Sequence, residues 1–159
     1  MTQKKLSKWL CVIVIGLGIA GLYCLTVMAP RLGHRLVLQY PRWAHMYTPT
    51  LIFTWVCAVP FYLGLYAAYL ISVDIGRDRS FIAENSHRLK RIGIYAVIES
   101  VLIFVILATM LTYDILHPVV AMILVLLALA VISISVICFA LSHLVLKAAK
   151  LQEENDLTI

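Results

Sequence analysis

Few residues in this chain are equipped for chemistry, and the most pointed of them is Glu99. It interrupts an apolar run seven residues after Ile92, about 10 Å along a helix rising 1.5 Å per residue. An ionisable side chain at membrane depth is costly and calls for a functional hypothesis. The polar groups able to meet it are Tyr66 and Tyr69 on the preceding apolar run, and Ser142 and His143 near the end of the last one. The plainer alternative is a protonated or snorkelling carboxyl with a structural hydrogen bond, since one carboxylate makes no proton pathway. His34 and His45 lie between the first two apolar runs and have the chemistry to bind a metal or to titrate with external acidity. Without a carboxylate or cysteine beside them, they fit better in a segment resting on the outer headgroups with Tyr40, Trp43 and Tyr47.

Other chemistries lack their parts. Cys11, Cys24, Cys57 and Cys138 all fall inside apolar runs, at spacings that match no zinc pattern. They read as small hydrophobes, so no disulfide, metal or cofactor is expected. The sequence shows no Ser-His-Asp set, no HExxH, no glycine-rich phosphate loop and no paired intramembrane carboxylates. A non-enzymatic protein is the expectation.

The remaining candidate is Arg77–Gly93, RDRSFIAENSHRLKRIG, which holds five of the thirteen Lys and Arg residues. Phe81, Asn85, Leu89 and Ile92 recur at helical spacing on one face, with Arg88, Lys90 and Arg91 around the other. Ser80 is the expected N-cap, and Glu84 lies in the first turn, where the helix dipole favours negative charge. Two readings are open: a basic helix anchored to anionic headgroups, or a docking surface for a cytosolic partner.

The elements that must position these residues are membrane spans. The 159 residues are 63% hydrophobic and 13% charged, with mean hydropathy +0.98. Four apolar runs exceed the roughly 18 residues that mark a transmembrane helix, at about 9–29, 51–73, 92–113 and 119–146. They predict an all-α, integral membrane four-helix bundle forming one domain in the lipid bilayer, with an external loop at 30–50, a cytoplasmic loop at 74–91 and a cytoplasmic tail at 147–159. Ten Lys and Arg flank the N-terminus, the middle loop and the C-terminus, against three in the loop at 30–50. That asymmetry predicts both termini inside. The net charge of +5 therefore sets orientation and is no sign of direct nucleic-acid binding. The N-terminal apolar run exceeds a signal-peptide core, and Pro30 would follow the best cleavage point, so span one is expected to be retained.

Within the spans, Gly16 and Ala20 form a small-xxx-small pair suited to close packing against another helix of the chain, or to a homo-oligomer. Trp55, Tyr62, Tyr66 and Tyr69 predict an aromatic stripe on span two, which Pro60 is expected to kink. Ser133, Ser135 and Ser142 are expected to hydrogen-bond between helices. The C-terminal LQEENDLTI predicts a short, exposed, acidic tail.

Two of these stretches together resemble the domain-of-unknown-function 2975 family, small four-span bacterial membrane proteins. The family's pattern before span three is met by Phe81, Asn85, Arg88, Leu89, Arg91, Ile92 and Gly93, with Lys90 in place of a common Arg. Its E-N-D-L-T-V/I ending is met by Glu154–Ile159. Members are often encoded beside a short Xre-type helix-turn-helix protein. The resemblance thus implies a protein of the bacterial cytoplasmic membrane that binds or tethers such a regulator. The residues expected at the contact are Phe81, Asn85, Arg88, Lys90, Arg91, Glu153, Glu154, Asp156, Leu157 and Ile159. The alternatives are immunity against a membrane-active peptide and a small transporter subunit using Glu99.

Overall fold

A computed structural model describes residues 3–39, 41–114 and 118–156. Helix α1 (Gln3–Tyr23) passes through a π-helical turn at Cys24–Met28 into α2 (Ala29–Gln39), and a 3₁₀ segment, Pro41–Met46, leads into α3 (Tyr47–Gly76). Helices α4 (Ala83–Thr112) and α5 (Pro118–Asp156) complete the chain. Four stretches, Gln3–Arg35, Ala44–Gly76, Ala83–Thr112 and Pro118–Asn155, are long and apolar enough to cross a membrane. With no water to satisfy the backbone, apolar runs of this length must bond internally as helices.

Helix extends well beyond the apolar cores that announce it. Most of 30–50 is helical, α4 begins at Ala83, and the acidic stretch continues α5 through Asp156. The expected outer loop, basic loop and free tail are therefore largely helix. Prolines sit where helices tolerate them. Pro118 opens α5, where its missing N–H would have had no partner. Pro30 follows the π turn, in which the Ala29 N–H reaches back to the Cys24 carbonyl, so the ladder loosens where a proline must be absorbed. Pro60 remains inside α3 without ending it.

The four spans form an open row instead of the expected closed bundle. Among the described residues, α1 packs on α3, α3 on α4 and α4 on α5, while α1 touches neither α4 nor α5. Apolar side chains facing outward are already in a compatible solvent, so the hydrophobic effect does not force closure.

Small residues bring the seams together. Along α4, Ser86, Gly93 and Ser100 are buried at seven-residue spacing, and along α5 so are Ala128, Ser135 and Ser142. The two series meet antiparallel. Ser86 Oγ donates to the Ser142 carbonyl at 2.8 Å, and Ser142 Oγ donates to the Ser86 carbonyl at 3.0 Å. One heptad further on, Ser135 Oγ donates to the Gly93 carbonyl at 2.9 Å. A Cβ on Gly93 would stand 3.1 Å from the Phe139 ring, so this approach needs glycine or a shift of the ring. Ser135 and Ser142 thus serve as expected, whereas Ser133 bonds within its own helix to Leu129.

The α1–α3 seam uses the same device with different residues. Ser7 Oγ donates to the Ser72 carbonyl at 2.7 Å, and Tyr62 Oη donates to the Gly18 carbonyl at 2.8 Å. A Cβ on Gly21 would lie 2.9 Å from Phe61. Gly16, by contrast, faces open space and Ala20 is exposed, so the packing glycines are Gly18 and Gly21, not the Gly16/Ala20 pair. The aromatic stripe also divides: Tyr62 turns to α1, while Trp55, Tyr66 and Tyr69 are exposed.

Gly93→Leu is expected to destabilise the chain by about 1–3 kcal/mol through overpacking of the α4–α5 seam. Ser86→Ala is expected to cost only about 0.6 kcal/mol, the mean for an interhelical hydrogen bond in a membrane. Denaturant titration of the two variants in detergent micelles checks both the order and the sizes.

Candidate docking site at the polar end

The antiparallel row brings the start of α1, the α3–α4 turn and the end of α5 to one end of the molecule. The turn is built by a C-terminal cap on α3. The Arg79 N–H bonds to the Asp74 carbonyl at 3.0 Å, and the Asp78 N–H to the Ile75 carbonyl at 3.3 Å. Between them Asp78 takes a left-handed backbone, φ 57°. This is the Schellman arrangement, with an aspartate where glycine is usual. Helix α4 then starts from an extended Ile82 without a side-chain cap, so Ser80 is not the N-cap.

Asn85 organises the turn from its other side, donating to carbonyls where an N-cap would accept from helix N–H groups. It is 1% exposed, and its Nδ2 donates to the carbonyls of Arg79 and Ser80 at 3.0 and 3.3 Å. Its Oδ1 accepts from Arg88 Nη1 at 2.9 Å. The same guanidinium pairs with the Asp74 carboxylate, and its Nη2 reaches Glu84 Oε1 at 3.0 Å, one helical turn back. The Arg88 and Asp74 side chains are only 15% and 10% exposed, so this ion pair closes the α3–α4 junction from within. Asn85 and Arg88 therefore leave the expected docking face: their polar atoms are engaged inside the turn.

Phe81, Lys90 and Arg91 point outward, with Phe81 56% exposed. Beside Phe81 runs an open groove lined by Ile82, Ala83, Leu146, Ala149, Lys150 and Glu153. The groove joins two stretches about 70 residues apart in sequence, and its rim carries both a lysine and a glutamate. Glu84, His87, Arg88 and Arg91 line a second, smaller depression on the neighbouring side of α4. Glu153 and Glu154 are exposed on α5. Leu157 and Ile159 lie outside the described residues, as does the side chain of Asp156.

The proposed partners of Glu99 do not reach it. Its Oε2 is buried without a hydrogen bond. Tyr66 and Tyr69 are exposed, Ser142 is engaged with Ser86, and His143 is exposed. His34 and His45 are exposed on α2 and the 3₁₀ segment, and the described residues hold no group of three or more His, Cys, Asp or Glu able to bind a metal. The four cysteines are free thiols.

Asp74 is the site residue that sequence reasoning missed. The available signal was an acid at the edge of a span, three residues ahead of a basic stretch, where its burial would demand an arginine. Ser86 was similarly legible as the heptad partner of Gly93 and Ser100.

These features describe an all-α chain with four helices long and apolar enough to cross a membrane, a polar-locked hairpin at its centre and a groove at one end. The chain belongs to the family described as protein of unknown function DUF2975, which matches over residues 31–159. No curated protein matches the chain, and no solved structure does.

Asp74→Ala is expected to destabilise the chain by about 3 kcal/mol, the low end for stranding one member of a buried ion pair. The double variant Asp74→Ala/Arg88→Met should recover most of that loss. Denaturant titrations arranged as a double-mutant cycle measure the coupling.

Proposed function

We propose that this is a non-catalytic regulatory protein of the bacterial cytoplasmic membrane that docks a small cytosolic helix-turn-helix regulator at the groove beside Phe81. The observation that carries the reading is the convergence of the two family-like motifs: Phe81 from the turn and Glu153 from α5 line one groove. The charge distribution supports an inward-facing groove, because ten of the thirteen Lys and Arg belong to the end that carries it. A regulator's DNA-reading face is basic where it meets phosphate. Glu153 on the rim, with exposed Glu154 next to it in sequence, supplies the complementary charge, and Phe81 with Leu146 supplies an apolar anchor. Binding there would compete with operator DNA and hold the regulator at the membrane.

The test is capture from detergent-solubilised membranes with the wild-type chain, Phe81→Ala, Glu153→Lys/Glu154→Lys, and a chain truncated after Leu151. Recovery of a small helix-turn-helix protein by wild type, reduced about tenfold by the charge reversal, is expected; tenfold corresponds to about 1.4 kcal/mol of binding. Equal recovery by all four chains moves the contact away from the groove. Failure of the wild type to retain any such protein removes the reading and leaves immunity against a membrane-active peptide as the next one to examine.

A further inference from the structure

Glu99 takes no part in the docking site, and its surroundings have a chemistry of their own. It is the seventeenth of the thirty residues of α4 and the eighth of the apolar run at 92–113, about a third of the way along it. Asn85, Ile92 and Glu99 follow at seven-residue intervals, which continues the line facing α3 from the turn into the membrane. Oε2 is buried without a hydrogen-bond partner, although unpaired buried polar atoms are rare and expensive.

The adjoining stretch of α3 has an unmet group as well. Pro60 is buried inside α3 and offers no N–H, so the Val56 carbonyl loses its usual partner one turn away. Cys57, the next residue, lies within electrostatic reach of Glu99. On α4, Tyr95 stands one turn before Glu99 and makes no hydrogen bond to the buried Oε2. On α3, Tyr62 gives its hydroxyl to the Gly18 carbonyl. On α5, the Ser86–Ser142 and Gly93–Ser135 pairs set Val125–Ser133 level with Glu99, a stretch without a titratable side chain. No Lys or Arg occurs between Arg91 and Lys147 to neutralise a carboxylate at this depth.

An acidic oxygen without a hydrogen bond, a carbonyl freed by a proline on the facing helix and no Lys or Arg between Arg91 and Lys147 together match a small hard cation. We propose that Glu99 Oε2, with the Val56 carbonyl freed by Pro60, forms an intramembrane site for a single monovalent cation, either a proton or sodium. Oxygen donors suit such ions, and the single negative charge balances one positive charge. The site is independent of the docking groove.

The test uses the purified chain in phosphatidylcholine vesicles treated with dicyclohexylcarbodiimide. This apolar reagent adds a protonated carboxyl across its C=N bond and marks the residue for peptide mass mapping. Labelling at Glu99 is expected in wild type and absent in Glu99→Gln. Sodium chloride at about ten times the dissociation constant, compared with choline chloride, should slow the labelling about tenfold if sodium fills the site. Labelling indifferent to sodium but declining as pH rises assigns the site to the proton. Glu99 unlabelled throughout, or labelled equally at every pH and salt, overturns the proposal. Capture of a partner by Glu99→Gln is expected to equal that of wild type, so failure here is distinct from failure at the groove.

Discussion

The structure depends on one charged contact, the Asp74–Arg88 pair at the junction of α3 and α4. Helices α1 and α3 form one antiparallel hairpin and α4 and α5 form another; the α3–α4 seam alone joins them among the described residues. A six-residue turn must reverse the chain there, and its carbonyls would be unsatisfied at the membrane edge without donors. Asn85 supplies two of those donors, and Arg88 links Asn85 to Asp74. Because the pair is mostly buried, its geometry matters more than its Coulomb energy. Removing either partner strands the other, whereas satisfying both fixes the angle at which the hairpins meet.

Away from that junction the helices adhere by shape. Lipid tails are as apolar as leucine, so helices gain little by hiding leucine from them. Close backbone approach is what discriminates neighbour from solvent, and the seams accordingly use serine, glycine and alanine. This explains why the buried residues are so often polar: Ser7, Ser72, Ser86, Ser100, Ser135 and Ser142 are all buried, while dozens of Leu, Ile and Val are exposed. The usual inside-out arrangement of a soluble protein is inverted. It also explains the open row. Each seam is satisfied by two helices, and nothing in the solvent drives the edges α1 and α5 to find one another.

The same logic separates the two polar features that are not part of the adhesive seams. At the end of the row, exposed Phe81, Lys150 and Glu153 line a groove where water is available and a partner can exchange with it. Within the apolar part of α4, Glu99 has no such exchange, and its Oε2 is buried without a hydrogen bond. The first arrangement suits reversible protein contact, the second a small ion held away from water.

Composition and run length by themselves determined that the chain is all-α and has four spans, because a bilayer leaves a long apolar backbone no other way to satisfy its hydrogen bonds. The distribution of Lys and Arg likewise placed the basic residues at one end, since alternate helix ends must share a side. Tertiary structure decided which members of the polar motifs face inward. Asn85 and Lys90 are equally polar in sequence, yet one is fully buried in the turn and the other is exposed, because only the docking of α4 against α3 selects the face. It also decided that Gly18 and Gly21, not Gly16 and Ala20, receive a neighbouring helix, and that the spans form a row. Periodicity identifies a face of a helix, but in lipid an apolar face is equally at home against protein or solvent, so only the contacts settle which it meets.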